Sequence, residues 1–171
     1  PYLDRLWFGE YFKYEKSPEY WLTDVSGIPF GMMSEMLQDG GNPYRGMLYG
    51  MTAREPMESV PSQLWKVWDA FGIKDSRMMG YWVSYNPVKT GRNDVLATSF
   101  VKDGKVMIAI ASWAKKDSDI KLQIDWEKLG IDADKARLTA PDIKGFQEGF
   151  SLSPKDKIKV PKDKGFIFIL E

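Results

Sequence analysis

The sequence contains no cysteine and no histidine among its 171 residues. These two absences exclude a thiol nucleophile, a Ser-His-Asp triad, a disulfide framework and a zinc site built on imidazole or thiolate. The side chains that remain for chemistry are carboxylates, lysine, tyrosine and arginine. Asp132 and Asp134 lack the further ligands of a calcium loop, and Gly40-Gly41 lacks the Lys-Ser/Thr of a phosphate loop. We therefore assign no metal and no cofactor.

An excess charge of either sign is also missing. Lys+Arg and Asp+Glu both number 24, so the formal net charge is +0. A neutral balance offers no electrostatic footprint for nucleic acid or for an anionic membrane surface. No apolar run approaches the ~20 residues that a membrane-spanning helix needs. We predict no nucleic-acid partner and no membrane span.

Aromatic side chains, in contrast, are abundant: they make up 14% of the chain, with Trp 7, Tyr 8 and Phe 9. One interpretation is a sugar-binding surface, because the apolar C–H faces of pyranose rings stack on aromatic rings. The other is an aromatic core, since each such side chain buries about 150–250 Å². Carboxylates with aromatic walls are typical of glycoside hydrolysis.

The first part of the chain has the rhythm of alternating strands and helices. Residues 3–8 are nearly all apolar and predict a strand buried on both faces, which Gly9 and Glu10 end. A charged loop follows. Ser17-Pro18-Glu19 predicts a helix start, and we expect a short helix over 19–24. A helical pattern is predicted again for residues 32–37.

The same rhythm continues through a turn at residues 38–43 to a predicted short strand over 47–51. Apolar residues recur at helical spacing from Pro61 to Phe71, and Gly72 is a typical C-terminal cap. The order strand, loop, helix, strand, helix predicts about two βα units over residues 1–79. Two parallel strands cannot bury their faces alone. We therefore expect either a piece cut from a larger barrel or a sheet completed by another copy.

From Tyr81 onward the apolar pattern has a period of two, and residues 102–105 are a hairpin signal. Short strands at regular spacing predict an antiparallel β-sandwich over residues 80–171. The fold class predicted for the whole chain is α+β, a partial (β/α) barrel segment followed by an antiparallel β-sandwich. The predicted strands are 83–85, 95–101, 106–113, 120–125, 136–141, 150–152, 157–160 and 165–170.

Several motifs together resemble a known family. The runs Leu6-Trp7-Phe8-Gly9-Glu10, 20–31 (YWLTDVSGIPFG) and 46–52 (GMLYGMT) resemble the end of the catalytic barrel in large bacterial glycoside hydrolases grouped loosely with family 123. Gly104-Lys105 before a strand ending in Ser112-Trp113, and the closing run 165–170, resemble the C-terminal β-domain of many glycosidases, the α-galactosidase type included.

The resemblance implies a bacterial enzyme whose (β/α)8 barrel ends with residues 1–79. It implies a saccharide substrate, a polysaccharide-degrading role and a periplasmic or extracellular location. The expected partners are carbohydrate and a missing N-terminal part of the same protein. In such barrels the main catalytic carboxylates usually lie on middle strands, which here would precede Pro1, so the catalytic residues stay unknown.

Five residues are predicted to bind substrate: Glu10, Tyr11, Tyr14, Arg45 and Tyr49. Glu10 directly follows a buried strand, where barrel enzymes place functional groups, although it could also be a solvated loop acid. Tyr11 and Tyr14 lie in the charged loop as a candidate sugar platform. Arg45 flanks the second predicted strand and could instead form a structural ion pair. Tyr49 ends that strand, where its phenol could face the barrel mouth.

These observations favour the C-terminal part of a glycoside hydrolase acting on a poly- or oligosaccharide. Two alternatives stay open: a non-catalytic carbohydrate-binding β-sandwich module, and an interaction domain that packs on another chain. On the first hypothesis we expect no turnover from the 171-residue chain alone, because most barrel strands lie outside it.

Overall fold

The computed structural model describes residues 5–6, 11–38, 41–53 and 61–171, with the backbone alone for 5–6. A π-helical turn at Trp21–Val25 continues α1, and 3-10 turns lie at Ile28–Phe30 and Ile73–Asp75. Among the described helices, none is both long and apolar enough to cross a bilayer. The α-helices are α1 Pro18–Tyr20, α2 Pro43–Met47, α3 Pro61–Phe71 and α4 Trp126–Leu129.

The described strands form one large antiparallel sheet, two short antiparallel pairs and a set of short parallel pairs. In the parallel set, Arg5 is the partner of Met33 and Met36 is the partner of Thr52. The strands are β1 Arg5–Leu6, β2 Met33–Ser34, β3 Met36–Leu37, β4 Thr52–Ala53, β5 Arg77–Met79, β6 Val88–Lys89, β7 Val95–Lys102, β8 Lys105–Ser112, β9 Ser118–Ile120, β10 Gln123–Ile124, β11 Leu138–Ala140, β12 Phe150–Leu152, β13 Ile158–Val160 and β14 Gly165–Leu170.

The predicted helix at residues 32–37 is wrong, because β2 and β3 occupy that stretch in extended conformation. A six-residue apolar run fits a helix and a buried strand equally well. Parallel pairing with β1 on one side and β4 on the other decides in favour of the strand. Since β2 and β3 are separated by Glu35 alone, three chain segments run in the same direction.

The predicted strand at residues 47–51 is also wrong, because α2 ends at Met47 and a turn follows. The side chain of Asn42 accepts a hydrogen bond from the Arg45 N–H at 3.0 Å, and Pro43 occupies the first helical turn. These features are typical of a helix start, and they outweighed the strand preference of the apolar run. Gly50, with a φ of 73°, closes the turn before β4 begins.

The predicted amphipathic helix and most of the predicted sandwich strands are confirmed. Helix α3 covers Pro61–Phe71, and Gly72 follows it with a φ of 77°. The hairpin β7–β8 pairs Lys102 with Lys105, where the turn was expected. Residues 83–85 differ from the prediction, since they form turns before β6. The fold class is α+β, with a parallel barrel-type segment followed by an antiparallel sandwich.

The large sheet has the order β12-β11-β14-β8-β7-β5 among the described strands. Its central strands are buried on both faces, because alternate side chains enter two different hydrophobic clusters. In β8, Ile108 and Ile110 face the sandwich core, whereas Met107 and Ala109 face the first part of the chain. The sheet is therefore a shared wall between two layers of structure.

Each face of this wall has its own cover. Strands β6, β9, β10 and β13 cover one face and complete the sandwich core, with Val88, Ile120 and Val160 as buried examples. The helical elements of the first part cover the other face, where Trp21 and Tyr49 join the cluster. Gly165 allows the central strands to approach closely, since a Cβ there would lie 1.8 Å from the Ile110 carbonyl oxygen.

Candidate functional site

The candidate site lies at the carboxyl ends of the parallel strands. Because β1 to β4 run in the same direction, the loops that leave β1 and β3 emerge at the same edge. Binding and catalytic groups of barrel folds collect at that edge. The described part of these loops covers residues 11–17 and 38, together with 41–42. Glu10, predicted from the sequence as a binding residue, lies outside the described residues.

Tyr11 stands in the first of these loops with its ring 94% exposed. Its φ of 71° is unusual for a residue other than glycine, and it turns the chain sharply after β1. An aromatic ring this open offers a face for a ligand to stack on. The predicted binding role of Tyr11 stays a prediction, and its position at the strand ends agrees with that role.

Tyr14 connects the two loops instead of standing free. Its hydroxyl accepts a hydrogen bond from the N–H of Gln38 at 2.9 Å. Its carbonyl accepts from Trp21 Nε1 at 3.1 Å and from Arg45 Nη1 at 2.8 Å. Its ring lies 5.4 Å from that of Trp21. Tyr14 thus holds the loop after β1 against the end of β3.

Arg45 is buried, with 6% of its surface exposed, and binds groups from three parts of the chain. Nη2 lies 2.8 Å from the Asp163 carboxylate, and Nε and Nη2 both donate to the Ser112 carbonyl at 3.2 Å. The guanidinium also lies 4.6 Å from the centre of the Trp113 ring. Burial lowers the pKa of Arg45, and the Asp163 carboxylate opposes part of that shift.

This geometry is that of a structural ion pair, which was one of the two roles that the sequence allowed for Arg45. The guanidinium joins α2 to the wall at β8 and to the loop before β14. Asn42 strengthens the same junction, since its Nδ2 donates to the Asp163 carbonyl at 2.9 Å. A substrate-binding role for Arg45 stays a prediction, although its donors already have protein acceptors.

Tyr49 lies in the interior with 0% exposure. Its ring is stacked between Trp21 at 6.0 Å and Trp82 at 5.6 Å, with interplanar angles of 14° and 8°. Its hydroxyl lies 2.9 Å from that of Tyr81, and both hydroxyls are within 3.2 Å of the Pro18 carbonyl. Burial raises the pKa of Tyr49 and raises the pKa of Tyr81 to about 12.

The structure thus brings Tyr14, Arg45 and Tyr49 together around Trp21, and leaves Tyr11 on the surface. The first three lie between the parallel segment and the sandwich, where they join the two. Their sequence signals were ambiguous, because tyrosine and arginine serve in binding sites and in aromatic cores alike. The helix start at Asn42-Pro43 was the available sign that Arg45 belongs to a helix.

Two further residues at the strand ends were not singled out from the sequence. Gln38 directly follows β3, and its Oε1 is buried without a hydrogen-bond partner in the structure of the described residues. Glu35 lies between β2 and β3 with an exposed side chain. Ser34 faces the helical side, since its Oγ donates to the Val25 carbonyl at 2.5 Å. Leu37 also packs on the helical side, with Trp21 and Met47, whereas the side chain of Glu35 is exposed.

The described residues place no three Asp or Glu side chains close enough together to hold a metal ion. What the site offers is an exposed aromatic residue at Tyr11, an exposed carboxylate at Glu35 and a buried amide oxygen at Gln38. Such groups can bind hydroxyl-rich molecules through stacking and hydrogen bonds.

Comparison with protein-family models gives two matches. Residues 60–171 match the model described as Glycoside hydrolase 123, C-terminal domain, and residues 1–56 match Glycoside hydrolase 123, TIM-barrel domain. A complete barrel takes about 250 residues, so the second match covers only part of one. No curated protein matches the chain. The two models meet between residues 56 and 60, and the sequence-based division after residue 79 stays a prediction.

Proposed function

Because the chain belongs to glycoside hydrolase family 123, we propose that it forms the end of the catalytic barrel and the C-terminal sandwich of an enzyme that cleaves a poly- or oligosaccharide. The main catalytic carboxylates would lie on barrel strands that precede Pro1 in the parent protein. The role of this chain would be to complete the barrel, to support it and to contribute binding groups at its mouth.

The observation that carries this proposal is the two-sided burial of the large sheet. One face of β8 packs in the sandwich core and the other packs against Trp21 and Tyr49 of the barrel segment. A binding module that works alone would be expected to expose the second face or to cover it with its own strands. This packing favours a barrel support over the alternative of a non-catalytic carbohydrate-binding module.

The groups at the strand ends fit a saccharide substrate. Tyr11 presents an open ring for the apolar face of a sugar. Glu35 has an exposed side chain between β2 and β3, and a carboxylate at a barrel mouth can accept hydrogen bonds from sugar hydroxyls or orient a catalytic acid. Most glycoside hydrolases use two carboxyl groups about 5–9.5 Å apart. We therefore assign Glu35 a binding or orienting role and place the reacting pair on the parent's other strands.

Hydrolysis of a panel of p-nitrophenyl glycosides tests this proposal. The parent polypeptide, expressed from its complete reading frame, should release p-nitrophenol from at least one glycoside. The 171-residue chain alone should release none. Turnover by the isolated chain that Glu35→Gln abolishes would contradict the upstream placement of the catalytic pair. Absence of turnover by the parent on every glycoside and on oligosaccharides would contradict the enzymatic proposal itself.

A periplasmic or extracellular location is part of the same proposal, since polysaccharide substrates are met outside the cytoplasm. Immunoblots of fractionated cells that express the parent protein would test it. Recovery of the protein only from the cytoplasmic fraction would contradict this location and leave the proposed chemistry unaffected.

A further inference from the structure

A cleft of about 600 Å³ lies where helix α2 meets the loop between β11 and β12. We name it the Phe146 cleft and define it by four partly buried aromatic residues, Tyr44, Phe146, Phe150 and Phe166. Its volume falls within the range of about 300–1,000 Å³ that is usual for ligand sites. The cleft shares none of these residues with the strand-end site.

The aromatic rings of the Phe146 cleft are held in fixed positions. The rings of Tyr44 and Phe146 lie 4.5 Å apart, tilted by 30°, and the Tyr44 hydroxyl donates to the Phe146 carbonyl at 2.8 Å. Phe150 and Phe166 meet edge to face at 5.5 Å. Since each of the four aromatic residues is only partly buried, the cleft retains exposed aromatic surface.

The loop that carries Phe146 is anchored by hydrogen bonds of the Gln147 side chain. Gln147 Nε2 donates to the carbonyls of Pro141 and Ile167 at 2.8 and 3.0 Å, and its Oε1 accepts from the Ile167 N–H at 2.8 Å. Ile143 is buried beneath the loop. A loop fixed in this way loses little conformational entropy when a ligand binds, which favours affinity.

Charged side chains of both signs surround the rings. Asp142, Lys144, Glu148 and Lys164 line the cleft and are exposed. Within the part of the chain that the structure describes, none of these four side chains makes an ion pair or a hydrogen bond. Two carboxylates and two ammonium groups thus remain available as acceptors and donors, with no net charge.

We propose that the Phe146 cleft is a second saccharide-binding site, which holds an uncharged segment of a polysaccharide away from the strand ends. Fixed aromatic faces would stack on the C–H surfaces of sugar rings, and the four charged side chains would bind their hydroxyls. Because the two acids and the two lysines balance, the cleft has no net charge to attract a polyanion. The nature of the ligand rests on the proposed function.

The position of the cleft agrees with a polymeric ligand. Tyr44 lies in the first turn of α2, which follows the loop that leaves β3. Tyr44 is therefore close along the chain to Gln38, at the end of β3. A polysaccharide held there would raise the local concentration of cleavable bonds near the barrel mouth, as in other bivalent binding.

Native gel electrophoresis of the 171-residue chain, in gels that contain galactomannan, xyloglucan, laminarin or chondroitin sulfate, tests this inference. The wild-type chain should be retarded by at least one uncharged polysaccharide. Lys144→Ala with Glu148→Ala should weaken that retardation at least tenfold, with an unchanged thermal midpoint. The matched control is Glu127→Ala with Lys157→Ala, which also removes one exposed acid and one exposed lysine and should bind as the wild type does.

Three outcomes would overturn the inference: no retardation in any gel, retardation by chondroitin sulfate alone, or equal weakening in the double variant and its control. Phe146→Ala gives a second test, because it removes one aromatic ring of the cleft and should weaken the retardation while the thermal midpoint is retained. Hydrolysis of p-nitrophenyl glycosides by the parent enzyme is the separate test of the proposed function. A cleft variant that keeps this hydrolysis but loses polysaccharide binding separates the two claims.

Discussion

The guanidinium of Arg45 and the carboxylate of Asp163 lie 2.8 Å apart, although 118 positions separate them in the chain. The same guanidinium donates to the Ser112 carbonyl on β8 and to the Tyr14 carbonyl in the first loop. One side chain therefore holds the barrel segment, the wall sheet and the loop before β14 in a common position.

Arg45→Met should destabilise the protein by about 2–4 kcal/mol, because the Ser112 and Tyr14 carbonyls would lose a charged donor in a buried place. Urea unfolding followed by tryptophan fluorescence would measure the change. Arg92→Ala is the matched control, since Arg92 pairs with Asp94 at the surface at 2.7 Å and exposed pairs contribute little. Equal effects of the two substitutions would contradict the role of Arg45 as a junction.

Stability should fall between about pH 10 and pH 12 in part because of Tyr81. Its pKa rises to about 12 in the folded chain, whereas an unfolded tyrosine titrates near 10. Above pH 10 the unfolded state therefore holds fewer protons than the native state, and the free energy of unfolding decreases as pH rises. Urea melts at successive pH values should show a shallower decline for Tyr81→Phe than for the wild type. Identical slopes would contradict the burial of this phenol.

Gly165→Ala should cost about 3 kcal/mol or prevent soluble expression, because its Cβ would lie 1.8 Å from the Ile110 carbonyl oxygen in the wall sheet. Gly104→Ala is the matched control. Gly104 has a φ of 71° but open space around its Cβ position, so only backbone strain of about 1–2 kcal/mol applies. Thermal melts would separate the two, and a smaller loss at Gly165 would contradict the close approach of β14 to β8.

Tyr11→Ala should raise the KM of the parent enzyme between about twofold and about tenfold and leave its thermal midpoint unchanged. The ring is 94% exposed, so its loss removes little packing, and a stacked aromatic contact contributes about 0.5–1.5 kcal/mol. Tyr85→Ala is the control, because Tyr85 is 47% exposed on the sandwich side of the chain. An unchanged KM for Tyr11→Ala would remove this residue from the binding site.

Several elements of the fold could be predicted from local sequence because their signals agree at every level. In the pair β7–β8, two apolar runs flank a Lys-Asp-Gly-Lys turn. In α3, apolar residues recur at helical intervals and Gly72 follows the last of them. For residues 32–37 and 47–51, the apolar pattern and the turn or cap signals did not agree. Their methionine-rich runs suit either conformation, so strand pairing and the Asn42 cap decided between them.

The location of the candidate site and its binding residues were predicted from the sequence, and both stay predictions. The sequence indicated the loop after the first strand, and Tyr11 lies there with an open ring. Glu35 was missed because it lies in a run predicted as helix, and only the pairing of β2 and β3 with their neighbours places it between two strands. Trp113 and Asp163 lie far along the chain, so no local pattern links them to Arg45.

The composition and periodicity of this chain determined by themselves that it has no thiol or imidazole chemistry, and that parallel βα units precede an antiparallel sandwich. These properties depend on residue types and short-range spacing. Only the tertiary structure decided that Tyr49 and Arg45 join the two parts, and that aromatic residues from α2 and the 141–149 loop form one cleft. Side chains separated by 100 positions meet through packing, and the free energy of packing depends on the whole assembled core rather than on any short segment.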